Sequence, residues 1–217
     1  LPIPISTGVD AMAKRSTSPV TDLALVAVFA GLISAFTLAP AIPVGPLMVP
    51  ITLQTLAVAL TAMILGPWRG FAATSLYVLI GLAGLPVFAG GMSGVGVLAR
   101  PSAGYLLAFP LAALLIGFLA RIVVRRTPAR GGLRWGLLFA AGMAGSIVFV
   151  HPLGILGMSI NGGLPLDKAF MADMLYWPGD VIKNVIASGV AVAVHRAFPG
   201  LLERPAAHAD QESLRVG

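Results

Sequence analysis

Asp180 and Lys183, three residues apart in "YWPGDVIKN", place a carboxylate and an ammonium on one face of a helix. A carboxylate accepts hydrogen bonds and an ammonium donates them, so the pair complements a small ligand with adjacent donors and acceptors. The same residues would also serve as a helix-capping aspartate and a lysine reaching for lipid headgroups. Asn184 extends the polar face four residues beyond Asp180. In "VPITLQTLAV", Thr52, Gln54 and Thr55 open a second apolar run; Gln54 is a candidate ligand contact, and helix-to-helix hydrogen bonding is the alternative. Tyr77 offers a hydroxyl to a ligand or to the core. Arg100, in the glycine-rich "FAGGMSGVGVLARPSAGY", suits a ligand carboxylate or a lipid phosphate. Ser93 in the same stretch, given His151 or His195 as a base, has the makings of a hydrolytic nucleophile.

These groups are set in 217 residues of which 58% are hydrophobic and only 10% charged, with a mean hydropathy of +0.95. That is the composition of an integral membrane protein. At roughly 20 residues per span the length holds about six helices and little else. With no cysteine, thiolate catalysis, disulfides and thiolate-bound metal are excluded. His151, His195 and His208 are scattered, and no metal site is expected from them. Neither a phosphate-loop lysine nor a strand-to-helix glycine fingerprint is present, so no nucleotide or other cofactor is expected in this chain. The net charge of +6 lies between apolar runs without interleaved aromatics, which argues for topology signals and against nucleic acid.

Breaks in the apolar runs divide the chain. Residues 23–68 carry no charge and hold two helices, 23–38 and 52–65, separated by "LAPAIPVGPLMVP", whose four prolines cannot continue a helix. A tight turn over 66–70 leads to a helix over 71–85 and then the glycine-rich loop. Helices over 105–124, 135–155 and 180–197 follow, the last two joined by the polar connection "SINGGLPLDKAFMADMLYWPG". The polar extension 1–21 lacks the order of a signal peptide, and 199–217 reads as a polar tail. The membrane domain is therefore 22–198.

The basic residues orient it. Lys14, Arg15, Arg69, Arg121, Arg125, Arg126, Arg130, Arg134, Arg196, Arg204 and Arg215 fall on one side, Arg100, Lys168 and Lys183 on the other, 11 against 3. Cytoplasmic loops are enriched in Lys and Arg, so both termini are expected in the cytoplasm. The proline loop, the glycine loop and the "YWPGD" segment then face outward together. On the first helix Ala27, Gly31 and Ala35 form a ridge of small residues, over which another helix can approach closely, from within the bundle or from a partner.

"PITLQTLAV", "YVLIGLAGLPVFAGG", "RPSAGYLLAF" and "PGDVIK" resemble, in order and spacing, the motifs of the BioY family, the biotin-specific S components of energy-coupling factor (ECF) vitamin transporters. The resemblance runs from about residue 22 to 195. It implies an all-α bundle of six transmembrane helices in the cytoplasmic membrane, with an extracytoplasmic biotin pocket built from the first, third and fifth loops. It also implies biotin uptake as the function, and partnership with a transmembrane T component and two ATPase subunits that alone use ATP. Asp180 and Lys183 match the family's acid and base, and Ala27, Gly31 and Ala35 resemble its surface for the T component, with Gly31 at a usual alanine. Arg100-Pro101-Ser102-Ala103 stands where the family has Gly-Pro-Thr before Gly-Tyr. Three alternatives compete: an S component for another vitamin, a structural membrane subunit without ligand, and, from Gly91-Met92-Ser93-Gly94, a rhomboid-like intramembrane serine protease using Ser93.

Overall fold

The computed structural model of the chain describes residues 19–128 and 132–202. Lys14, Arg15, Arg130, Arg204, Arg215, His208 and most of both expected polar ends lie outside the described residues. Helices dominate: α1 (Pro19–Thr37), α2 (Gln54–Leu65), α3 (Pro67–Leu82), α4 (Ala103–Arg126), α5 (Gly132–Gly145), α6 (His151–Ile160), α7 (Leu166–Asp173) and α8 (Trp177–Ala197). A π-helical turn, Ser146–Val150, joins α5 to α6 without a break. Among the described residues, three helical stretches are long and apolar enough to cross a membrane: Pro19–Thr37, Ala103–Arg126 and the continuous Gly132–Ile160.

The shorter α2 is apolar on every side because it is the centre of the bundle. Gln54 and Leu56 through Leu65 are all buried, under contacts from α1, α3, α4 and α8. A helix hydrophobic all round is stable only when all its faces are covered. The outer helices reverse the soluble pattern, with Val28, Leu79, Leu107 and Phe118 exposed on the periphery. In hydrocarbon such side chains cost nothing. Close packing near the N-terminal end of α4 depends on Gly104, where an added Cβ would run into the Leu153 carbonyl on α6.

Four expectations are corrected in detail. The proline loop is not irregular throughout: β1 (Ile42–Val44) and β2 (Val49–Ile51) form an antiparallel hairpin with Pro43 opposite Pro50, so the fold is not strictly all-α. Proline lacks an N–H, so a Pro–Pro pair fits only at a non-hydrogen-bonded position, leaving the flanking pairs to carry the ladder. The expected turn over 66–70 shrinks to Gly66 at φ +78°, and Pro67 starts α3 at a position where its missing N–H is not needed. The polar connection before the last helix contains α7. Finally, α8 starts at Trp177 with Tyr176 as its N-cap, so Asp180 lies inside the helix.

The two ends of the bundle differ in chemistry. At one, Arg69 pairs with Asp22 at 2.7 Å, and Arg125 donates to the Leu202 carbonyl at 2.8 Å. Arg134 there donates to the Val124 carbonyl at 2.9 Å, satisfying the carbonyls at the end of α4. At the other end the hairpin, the glycine loop and the α6–α7–α8 connections meet. Tyr176 donates to the Val49 carbonyl at 3.0 Å, and Asn161 donates to the carbonyls of Leu98 and Arg100 at 2.8 and 3.0 Å.

Candidate ligand-binding site

The second end encloses a cavity. Its walls are apolar: Val49, Pro50 and Ile51 from the hairpin, Phe88, Met92 and Val97 from the glycine loop, Leu106 and Phe109 from α4. Its polar lining is Thr52, Gln54, Thr55, Ser102, Tyr105, Tyr176, Asp180 and Lys183. Residues of the hairpin and of the glycine loop line the cavity beside the helix ends. A second cavity adjoins it through shared residues Val49, Pro50, Ala89, Met92 and Ser102, and this one is bordered by Arg100.

The acid and base act as a unit. Asp180 Oδ1 accepts from Thr55 Oγ1 at 2.9 Å and from Lys183 Nζ at 3.1 Å. Thr55 Oγ1 in turn accepts from Lys183 Nζ at 3.0 Å. The Asp180 side chain is 4% exposed and that of Lys183 12%, so the charges hold each other in a largely dry setting. Neither competing reading of the pair survives: Asp180 makes no side-chain cap, and the Lys183 ammonium turns inward to Thr55 and Asp180 instead of outward to headgroups. Buried ions persist when each is paired and hydrogen-bonded.

Behind this triad lies a second polar cluster. Asp173, at the end of α7, is 0% exposed and accepts from Tyr105 Oη at 2.6 Å and Trp177 Nε1 at 2.8 Å. His151 Nδ1 lies 3.1 and 3.0 Å from its two oxygens, and the imidazole stacks on Trp177 with ring centroids 4.5 Å apart. The other imidazole nitrogen, Nε2, faces Asp180 Oδ2 at 3.7 Å. Burial, with the Asp173 charge adding to it, pushes the Tyr176 hydroxyl up to about 12, so it stays a donor at neutral pH.

A family model described as the BioY family matches residues 11–200. The chain belongs to the BioY family. It is 38% identical over 183 residues to a biotin transporter BioY of Rhizobium etli, covering 84% of this chain and 97% of that protein. It is 37% identical to a biotin transporter BioY of Rhodobacter capsulatus, covering 83% and 96%. Its fold is similar to a crystal structure of the S-component for biotin from an ECF-type ABC transporter, with TM-score 0.76, 25% identity and 85% and 95% coverage. The transporter family and the apolar spans make this a membrane protein and not an enzyme.

Within this BioY fold, the residues expected from sequence separate. Asp180, Lys183 and Gln54 line the cavity. Gln54 also spans helices, its Nε2 donating to Tyr77 Oη at 2.7 Å. Tyr77 is 0% exposed, stands outside the cavity lining, and packs edge-on against Phe88; it supports two lining residues from behind. Asn184 turns toward the α5 side, its Nδ2 bonding Ser146 Oγ and the Asp180 carbonyl at 3.4 and 3.0 Å. Arg100 borders the adjoining cavity only. Ala27, Gly31 and Ala35 are exposed on α1, and an added Cβ on Gly31 meets nothing within 4 Å, so the ridge does not pack within the bundle. Ser93 is exposed, while His151 faces Asp173 and His195 approaches the Met63 carbonyl at 2.9 Å. The protease alternative falls on geometry as well as family.

Sequence reasoning missed Tyr105, Asp173, Tyr176 and Trp177, and used His151 only as a possible base. The run "ADMLYWPGD" did carry a signal, an acid and two aromatics just before Asp180. Tyr105 carried none.

Proposed function

We propose that this chain is the biotin-binding S component of an ECF transporter, taking biotin from outside the cytoplasmic (inner) membrane and delivering it inward. The observation that carries this reading is the Thr55–Asp180–Lys183 triad at the polar edge of an apolar cavity. Biotin's ureido ring presents two N–H donors beside one carbonyl acceptor: Asp180 accepts, Lys183 donates. The bicyclic ring and valerate chain fit walls of Val, Ile, Leu, Met and Phe. The names of the relatives support biotin over another vitamin. No bond in biotin changes, no cofactor is held, and ATP is used only by partner ATPase subunits.

The proposed topology has six spans, α1, α2, α3, α4, α5–α6 and α8, with both termini cytoplasmic. The clustering of Arg69, Arg125 and Arg134 away from the cavity supports this direction. Calorimetric titration of purified protein with biotin tests the reading. Saturable one-site binding is expected; binding of a different vitamin and not biotin would overturn it.

Two further results are expected. Arg100 borders the adjoining cavity and in this reading meets the valerate carboxylate, so wild type should prefer biotin over an uncharged biotin amide by about tenfold. That is the low end for a charged hydrogen bond, because the guanidinium is exposed. Arg100→Gln should lose most of that preference; an unchanged ratio would detach Arg100 from the ligand. Gly31→Trp should block capture of a T component while biotin binding by the isolated chain stays intact, since an indole prevents close helix approach. Loss of both in the same preparation would mean that α1 matters to the bundle itself.

A further inference from the structure

Asp173 receives hydrogen bonds from Tyr105 and Trp177, and an indole N–H can only donate. Asp173 is therefore an acceptor, and the His151 Nδ1 beside both of its oxygens carries a hydrogen. What remains is Nε2. It is buried, has no hydrogen-bond partner among the described residues, and points at Asp180 Oδ2, 3.7 Å away. A bare lone pair there would face a carboxylate oxygen.

Charge balance calls for the same proton. The titratable groups around the imidazole are Asp173 from α7, Asp180 and Lys183 from α8, Tyr105 from α4, and Tyr176 before α8; α2 contributes the uncharged Thr55. With a neutral imidazole, two carboxylates and one ammonium leave the cluster one negative charge in excess. One proton on Nε2 brings the sum to zero, the count a dry site favours. It also turns the unpartnered nitrogen into a donor aimed at Oδ2.

We propose that His151, held by Asp173, is a positioning residue that keeps one proton between its Nε2 and Asp180 Oδ2, and that biotin binding requires this proton. The inference rests on the reading of Asp180 as the acceptor for the ureido N–H. Asp180 Oδ1 is already engaged by Thr55 and Lys183, so the ligand's N–H must share Oδ2 or the outer lone pair of Oδ1. Either requires a fixed carboxylate plane. A protonated Nε2 fixes it by attracting Oδ2 from behind, across the 3.7 Å that separates them. A deprotonated Nε2 repels Oδ2 and turns the acceptor away from the cavity.

The linkage has a definite sign. Affinity is highest where Nε2 holds its proton and falls as rising pH removes it, so binding above that step takes up one proton from solvent. Biotin is titrated by calorimetry into wild type, His151→Gln and His151→Phe, in pairs of buffers with different ionisation heats, from about pH 5 to above 8, the range in which imidazole titrates. Wild type is expected to weaken by up to about tenfold per pH unit above the step, the limit for one linked proton, with uptake approaching one proton per biotin. His151→Gln, which donates but does not titrate, should bind with a flat profile and no proton uptake. His151→Phe should be flat and at least about tenfold weaker than the glutamine variant, the loss of one hydrogen bond to a charged group. A flat wild-type profile, or the same slope in His151→Gln, would overturn the proposal. Absence of biotin binding by wild type at every pH would overturn the functional reading itself, and this inference with it.

Discussion

Asp180→Asn is expected to reduce biotin affinity by about 30-fold to several thousand-fold, the equivalent of 2–5 kcal/mol for removing one partner of a buried, hydrogen-bonded charge pair. The carboxylate accepts from Thr55 and Lys183 at once. An asparagine keeps the shape but loses the charge, leaving a nearly buried ammonium without a counter-ion. It also presents an N–H where a ureido N–H needs an acceptor. Lys183→Met should weaken binding less, since it removes the donor to the ureido carbonyl yet leaves Thr55 to bond Asp180. Titrations of both variants and the double variant, in one detergent at one pH, give the coupling between them. Near-wild-type affinity in Asp180→Asn would reduce the triad to helix packing. A double variant no worse than Asp180→Asn is the expected mark of residues working as a unit.

Asp173→Ala is expected to be the most damaging substitution for the fold near the site. The carboxylate is fully buried and serves Tyr105, Trp177 and His151 together. Its removal leaves the buried His151 and the half-buried Tyr105 and Trp177 without their shared acceptor, at about 1–3 kcal/mol for each group left unpaired. The total is less than three separate losses, because a network relaxes and the groups share partners. A fall of many degrees in Tm in detergent is the expected result, with biotin binding recovered only at low temperature. Asp173→Asn, which keeps one acceptor oxygen, should be milder. An unaltered Tm for Asp173→Ala would mean that these groups find other partners.

The reach of sequence reading follows from which interactions are local. Asp180 and Lys183 were legible as a pair because three residues on a helix face the same way whatever surrounds them. Gln54 was legible as a polar intruder in an apolar run. Thr55 was visible in the same polar set, yet its role depends on a helix 125 positions away in the chain. His151 stood out only as a possible base for Ser93 and Tyr105 not at all, and only the meeting of α4, α6, α7 and α8 gives them Asp173 in common. Tyr77 and Asn184 were legible as polar residues of apolar runs, but not the partners they would find. The Tyr77 hydroxyl is turned toward Gln54 and the Val87 carbonyl, and the Asn184 amide toward Ser146.

By itself the sequence determined the membrane class, the order of apolar segments, the family, and the acid–base pair, since composition, charge spacing and short-range helical geometry are properties of neighbouring residues. Tertiary structure alone decided that the proline stretch closes as a hairpin, that α2 is central, that the small-residue ridge faces outward, and that His151 stands between two carboxylates. Those outcomes depend on which faces of distant helices come together. That choice is made by packing and by the satisfaction of buried polar groups across the whole bundle, which no local stretch of residues encodes.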